Sequence, residues 1–122
     1  MLIYDDSATQ YRGLAFGTQL DIAPTIVDRL GLAIPASWEG VSLLRDTMPR
    51  QTMHQTKLNK PCFAVIDYAA DRMLKYMQCS GGRNEELYDL IGDAGEQHNL
   101  APSADPALMT GFRTALDRWK SR

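Results

Sequence analysis

Hydrophobic and polar residues recur with two different periods along this chain. Ile22, Ile26, Val27 and Leu30 are spaced by three and four residues, which places them on one face of a helix over residues 21–30. Asp21 stands at the N-cap position of that helix, and Pro24 lies in its first turn, where a missing N–H costs little. Gly31 supplies the stop. The same period returns in Leu108, Met109, Phe112, Ala115, Leu116 and Trp119, behind an Asp105 cap and Pro106 at the first helical position. Between these helices the period shortens. Residues 62–68, with Phe63, Val65, Ile66 and Tyr68, and residues 73–79, with Leu74 and Tyr76, read as two strands. A turn centred on Ala70 and Asp71 then sets Val65 opposite Tyr76, Ile66 opposite Lys75 and Cys62 opposite Cys79. "SGGRN" reads as the next turn and residues 85–91 as a third strand.

The remaining segments have weaker signals. Residues 2–4 read as a short buried strand and the polar, glycine-punctuated stretch after it as a loop. Residues 32–44 read as extended, anchored by burial of Trp38 and Leu43. Residues 45–60 are polar, show no clear period and read as a connecting loop. Residues 92–106 form another polar loop, with Leu100 as its apolar anchor. The resulting expectation is an α+β chain, with a small antiparallel sheet of about three to four strands packed on a C-terminal helix. A strand and a helix precede that sheet.

Composition narrows the partners. A chain of 122 residues is the size of one domain, and a net charge of −2 with scattered cations offers no nucleic-acid patch. The basic group "RWKSR" suits a solvated helix end. No apolar run approaches the ~20 residues that span a bilayer. With two cysteines there is no disulfide framework. The predicted register puts Cys62 and Cys79 within bonding range, although two reduced strand thiols are the preferred reading. His54 and His98 have no neighbour at metal-ligand spacing. Neither a phosphate-binding glycine loop nor a GxSxG elbow occurs. "CSGGRN" is better explained by the positive-φ needs of a hairpin than by an oxyanion site, and the acids of "YDD" and "DLIGDAGE" are better explained as loop charges than as a cation site.

Two ordered sets of residues nevertheless resemble the C-terminal part of the sulfatase family, within the alkaline-phosphatase-like superfamily. The first is Thr18, Gln19, Asp21, Ile22, Pro24, Thr25, Ile26, Gly31 and Leu32, followed by Pro35, Gly40, Ser42 and Leu43. The second is Lys75, Tyr76, Glu86, Leu87, Tyr88, Asp89, Leu90, Asp93, Glu96, Asn99 and Leu100. "LIYDD" resembles a strand that precedes the helix in that family.

The resemblance implies three parts. Residues 1–44 would be the C-terminal edge of a catalytic α/β domain, 45–60 a connecting loop, and 61–122 the family's small C-terminal subdomain. It assigns structural roles to Asp21, Pro24, Thr25, Gly31, Gly40, Tyr88 and Asp89, and a loop-fastening role to Glu96 and Asn99. The family's nucleophile, in "C-x-P-S-R" or as a threonine or serine, is absent here, as are its metal motifs. The resemblance therefore implies a segment with no catalytic residues of its own. Its main partner would be a missing N-terminal catalytic domain carrying a divalent metal (Ca, Mg, Mn or Zn).

Gln19, where sulfate-ester hydrolases often have histidine, tilts the substrate slightly toward a phosphate ester of the envelope transferase kind. Arg45, Arg50 and His54 are the candidates to reach an anionic ligand. A self-contained binding or oligomerisation module on the same scaffold, dimerising through its N-terminal region, is the alternative. A periplasmic or cell-envelope location would suit the parent protein, and a cytoplasmic one the segment alone.

Overall fold

A computed structural model describes residues 17–45, 50–56, 61–69, 71–79 and 82–122. The strand expected at residues 2–4, the loop after it and dimerisation through the N-terminal region lie outside these residues. The chain forms two compact units, Met1–Thr47 and Met48–Arg122, each described by itself.

In the first unit, a 3-10 turn at Gln19–Asp21 leads into helix α1, Ile22–Arg29. Gly31 takes φ +70°, and its N–H bonds the Asp28 carbonyl while the Leu32 N–H bonds that of Val27. This pair of bonds is the Schellman closure that glycine makes inexpensive. The apolar stripe of α1 is exposed: Ile22, Ile26 and Leu30 are 42%, 55% and 66% exposed, whereas Pro24 and Thr25 are buried. One expectation is corrected here. Trp38 is 41% exposed and anchors nothing by burial, while Leu43 does.

The second unit is a meander of four antiparallel strands in chain order: β1 Arg50–Gln55, β2 Cys62–Tyr68, β3 Met73–Cys79 and β4 Asn84–Asp89. The β2–β3 register is the expected one throughout, with Val65 on Tyr76 and Cys62 on Cys79. Strand β1 corrects the loop expected over residues 45–60. Its sequence, RQTMHQ, has almost no apolar alternation to reveal a strand. What makes it one is β2, whose free edge would otherwise leave its N–H and C=O groups unpaired.

Met53, Val65, Tyr76 and Leu87 lie opposite one another in a single row across the four strands. Helix α2, Pro106–Lys120, covers that row with Met109, Phe112 and Leu116. Val65, Tyr76 and Leu116 are fully buried. The Phe112 ring stacks on Tyr76 with centroids 5.4 Å apart and planes 6° from parallel. The Asp105 carboxylate caps α2 by accepting from the Ala107 N–H at 2.7 Å. At the far end of α2 the basic tail is more than solvated charge. Trp119 meets Phe63 edge-on, and the Lys120 ammonium lies 4.6 Å from the Phe63 ring centre and donates to Gln78. A short 3-10 turn, Ala101–Ser103, joins the sheet to α2. Leu100 is exposed; its backbone N–H, bonded to the Leu87 carbonyl at 2.8 Å, does the anchoring expected of its side chain.

Candidate functional site

Many of the polar residues that define the resemblance to sulfatases form side-chain hydrogen bonds within their own unit. Asp21 has no exposed surface. Its carboxylate does not cap α1. It accepts from the Thr18 N–H at 2.6 Å and hydroxyl at 2.9 Å, and from the Val41 N–H at 3.0 Å. The Thr25 hydroxyl donates to the Asp21 carbonyl at 2.6 Å and accepts from the Leu43 N–H at 2.9 Å. Two buried side chains thus hold the extended segment at residues 41–43 against the start of α1. Gly40 is what lets the segment come this close, because a Cβ there would sit 1.9 Å from the Leu20 carbonyl oxygen. A buried carboxylate is tolerable only with such a set of donors.

The second motif set fastens the connection from β4 to α2. The Asp89 carboxylate accepts from the Ile91 N–H. Asp93 accepts from the N–H groups of Gln97 and His98, and those two bonds are the main cause that lowers its pKa. Glu96 adopts φ +54°, a left-handed conformation uncommon for a residue with a side chain. Its carboxylate receives the Lys75 ammonium at 2.7 and 2.8 Å, which holds the bend against the sheet. The Tyr88 hydroxyl donates to Glu86. Asn99 Oδ1 accepts from the Leu87 N–H at 3.0 Å and the Ala101 N–H at 2.9 Å. These bonds of Glu96 and Asn99 link the segment after β4 to strands β3 and β4. Replacing Asn99 with alanine would leave the Leu87 N–H, in the middle of β4, without this acceptor. We expect a loss of about 1–3 kcal/mol, read from urea denaturation; a loss below about 0.5 kcal/mol, as for an ordinary surface change, would show the bond to be dispensable.

Sequence reasoning missed a further cluster. Glu85 accepts from the Tyr76 hydroxyl at 2.6 Å and from Arg113 on α2 through both carboxylate oxygens, at 2.7 and 2.6 Å. The Arg113 and Tyr76 bonds hold the Glu85 pKa down at about 2, against an ordinary 4.5. Burial, and then the carboxylate itself, push Tyr76 up. The separation of 28 positions between Glu85 and Arg113 hides this pair from any local pattern. A carboxyl group whose folded pKa is depressed stabilises the fold above its unfolded pKa, and that stability is lost as pH falls. The expected result is a stability that declines between pH 4.5 and about 2, with the decline reduced in Glu85→Gln. Identical acid profiles for the two proteins would refute the assignment.

The three candidates for an anionic ligand are placed as follows. Arg45 belongs to the first unit and is exposed, and its guanidinium pairs in fork fashion with Asp28. That hydrogen-bonded pairing lowers the Asp28 pKa and raises that of Arg45. Arg50 and His54 both lie on β1, on the sheet face opposite α2. Arg50 stands 5.5 Å from the centre of the Tyr68 ring, and His54 shares a 2.9 Å hydrogen bond with Thr52. Loss of surrounding water is the larger cause lowering the His54 pKa, and the charge of Lys75 the smaller. Among the described residues, no three His, Cys, Asp or Glu side chains stand together to hold a metal ion. No helix among the described residues is long and apolar enough to cross a membrane.

No protein-family model matches the chain. It is similar to a Delta 4,5-hexuronate-2-O-sulfatase of Bacteroides thetaiotaomicron, 32% identical over 119 aligned positions that cover 84% of this chain and 23% of that protein. The solved structure of a 2-O GAG sulfatase superposes with a TM-score of 0.59 at 29% identity, over 84% of this chain and 24% of that one. A second solved structure, from Bacteroides thetaiotaomicron, gives 0.58 with the same identity and coverage. The chain spans about a quarter of the length of these relatives. With its two motif sets folded into locks and its four-stranded sheet closed by a helix, the chain is a C-terminal part of the sulfatase family.

Proposed function

We propose that this chain completes the fold of a sulfate-ester hydrolase and borders its substrate cleft, without supplying catalytic residues. The observation that carries the proposal is how the motif carboxylates are used. Asp21, Asp89, Asp93 and Glu96 all accept hydrogen bonds from groups of this same chain. Displacement at sulfur calls for a nucleophile and an ion clamping the reacting oxygens, and these carboxylates are already bonded elsewhere. The chemistry is assigned to an N-terminal catalytic domain of the kind the longer relatives have room for. The exposed apolar stripe of Leu20, Ile22, Ile26 and Leu30 supports this reading, since such a surface calls for a cover. The relatives are named as sulfatases, which favours sulfate over the phosphate ester that Gln19 suggested. A role for Arg50 and His54 in binding the anionic substrate belongs to the same proposal.

The test is a chimera in which this chain replaces the matching quarter of the Bacteroides thetaiotaomicron sulfatase. It is expected to be soluble and to release sulfate from the unsaturated 2-O-sulfated hexuronate that the relative's name describes. A folded chimera without activity would count against the cleft role. Sulfate release by this chain alone would overturn the assignment of the chemistry to another domain. The same apolar stripe favours a second reading, an assembly module that pairs with a copy of itself. A stable dimer in light scattering, lost in Ile26→Glu, would support that alternative.

A further inference from the structure

The two cysteines expected to be free thiols are joined. Cys62 and Cys79 form a disulfide across the β2–β3 pair, with Cα atoms 4.2 Å apart. Its position in the sheet gives it a purpose. The β2–β3 turn, with the Ala69 N–H bonded to the Arg72 carbonyl, closes one end of the central hairpin. The disulfide closes the other, so that the two central strands become a covalent ring. β1 enters β2, and β3 leaves for β4, at this same end. Cys62 also carries the last ties to β1, since its carbonyl accepts from the Thr56 N–H at 3.0 Å and its N–H donates to the Thr56 hydroxyl at 3.2 Å. Cys79 pairs with Asn84, the first residue of β4. All four strands therefore meet at this one bond. The core row of Val65, Tyr76 and Leu87 lies further along the strands, under α2.

We propose that the Cys62–Cys79 bond is an end clasp of the sheet, formed in an oxidising compartment, and that this chain accordingly works outside the reducing cytoplasm. Glutathione and thioredoxin keep cytosolic thiols reduced, whereas exported proteins keep such bonds. The oxidant is a protein disulfide of a thiol–disulfide oxidoreductase. One Cys thiolate attacks a sulfur of that disulfide, forming a mixed disulfide and expelling the other sulfur as a thiolate. The second Cys thiolate then attacks this chain's own sulfur in the mixed disulfide. The partner leaves as its dithiol, so this chain loses two electrons and two protons and the partner gains them.

Two measurements on the full chain test the proposal. In the first, source cells are fractionated with N-ethylmaleimide present from lysis, and the intact mass is read. An unlabelled chain in the envelope or secreted fraction is expected; a chain carrying two adducts, or one found in the cytosol, overturns the location. The second compares amide exchange in the wild type and the Cys62→Ser/Cys79→Ser double variant. Exchange should quicken at least tenfold at Thr56, Phe63, Gln78 and Cys79→Ser, with Val65, Tyr76 and Leu87 unchanged. Unchanged rates at the end of the sheet would overturn the clasp. Quickening spread evenly over the core would do so as well, because the bond would then serve global stability.

Discussion

Phe112→Ala is expected to cost about 3–5 kcal/mol, the range for deleting a fully packed aromatic ring, and to be the most damaging single truncation in the second unit. Phe112 is 2% exposed and fills the space between α2 and the buried row of the sheet. Its ring stacks on Tyr76, whose hydroxyl reaches the Glu85 carboxylate that Arg113 of α2 also holds. Removing the ring leaves a cavity beside Tyr76 and takes away the apolar support of a polar cluster, so both terms act in the same direction. Thr110→Ala, two residues away on the exposed side of α2, should change stability by less than about 0.5 kcal/mol. Urea denaturation followed by circular dichroism separates the two. A loss under about 1 kcal/mol for Phe112→Ala would mean that α2 is not what closes the core.

Gly40→Ala is the second large effect, of about 3 kcal/mol, at the upper end of the usual cost of overpacking. The added methyl would lie 1.9 Å from the Leu20 carbonyl oxygen and 2.5 Å from its carbon. Both are backbone atoms, so no rotamer change relieves the contact, and the extended segment has to move away from α1. That movement breaks the bonds from Val41 to Asp21 and from Leu43 to Thr25, and two buried polar groups lose partners. The amides of Val41 and Leu43 should then exchange much faster. Gly111 in α2 gives the opposite sign. A Cβ there meets nothing within 4 Å, so Gly111→Ala should stabilise the helix by about 0.5–1 kcal/mol. Unchanged exchange at Val41 and Leu43 in Gly40→Ala would show that the lock is not needed for the segment to stay in place.

The parts of the fold that were legible share one property: their signals are local. The face of α2 and its Asp105 cap follow from spacing within fifteen residues. The β2–β3 register follows from a short turn between two apolar runs. β1 was not legible, because a polar edge strand is specified by its neighbour's unpaired backbone and not by its own side chains. The inward side of α1 was not legible for a related reason. Its apolar stripe has the period of a buried face, yet the contacts made within this chain are those of Pro24, Thr25 and Asp21. A hydrophobic stripe says that a helix has a surface to cover without saying what covers it.

Of the candidate site, the sequence by itself determined the motif residues. It could not determine what Asp21 does, because its acceptor bond to Val41 spans 20 residues, nor the Glu85–Arg113 pair, which spans 28. The joining of Cys62 to Cys79 was allowed by the register, but it was decided by the distance between their backbones. The division has a single physical cause. Periodicity and capping act between residues a turn or a hairpin apart, and the chain order contains them. Hydrogen bonds, a covalent bond and an edge pairing between distant segments depend on where the folded backbone brings those segments, and only the tertiary structure decides that.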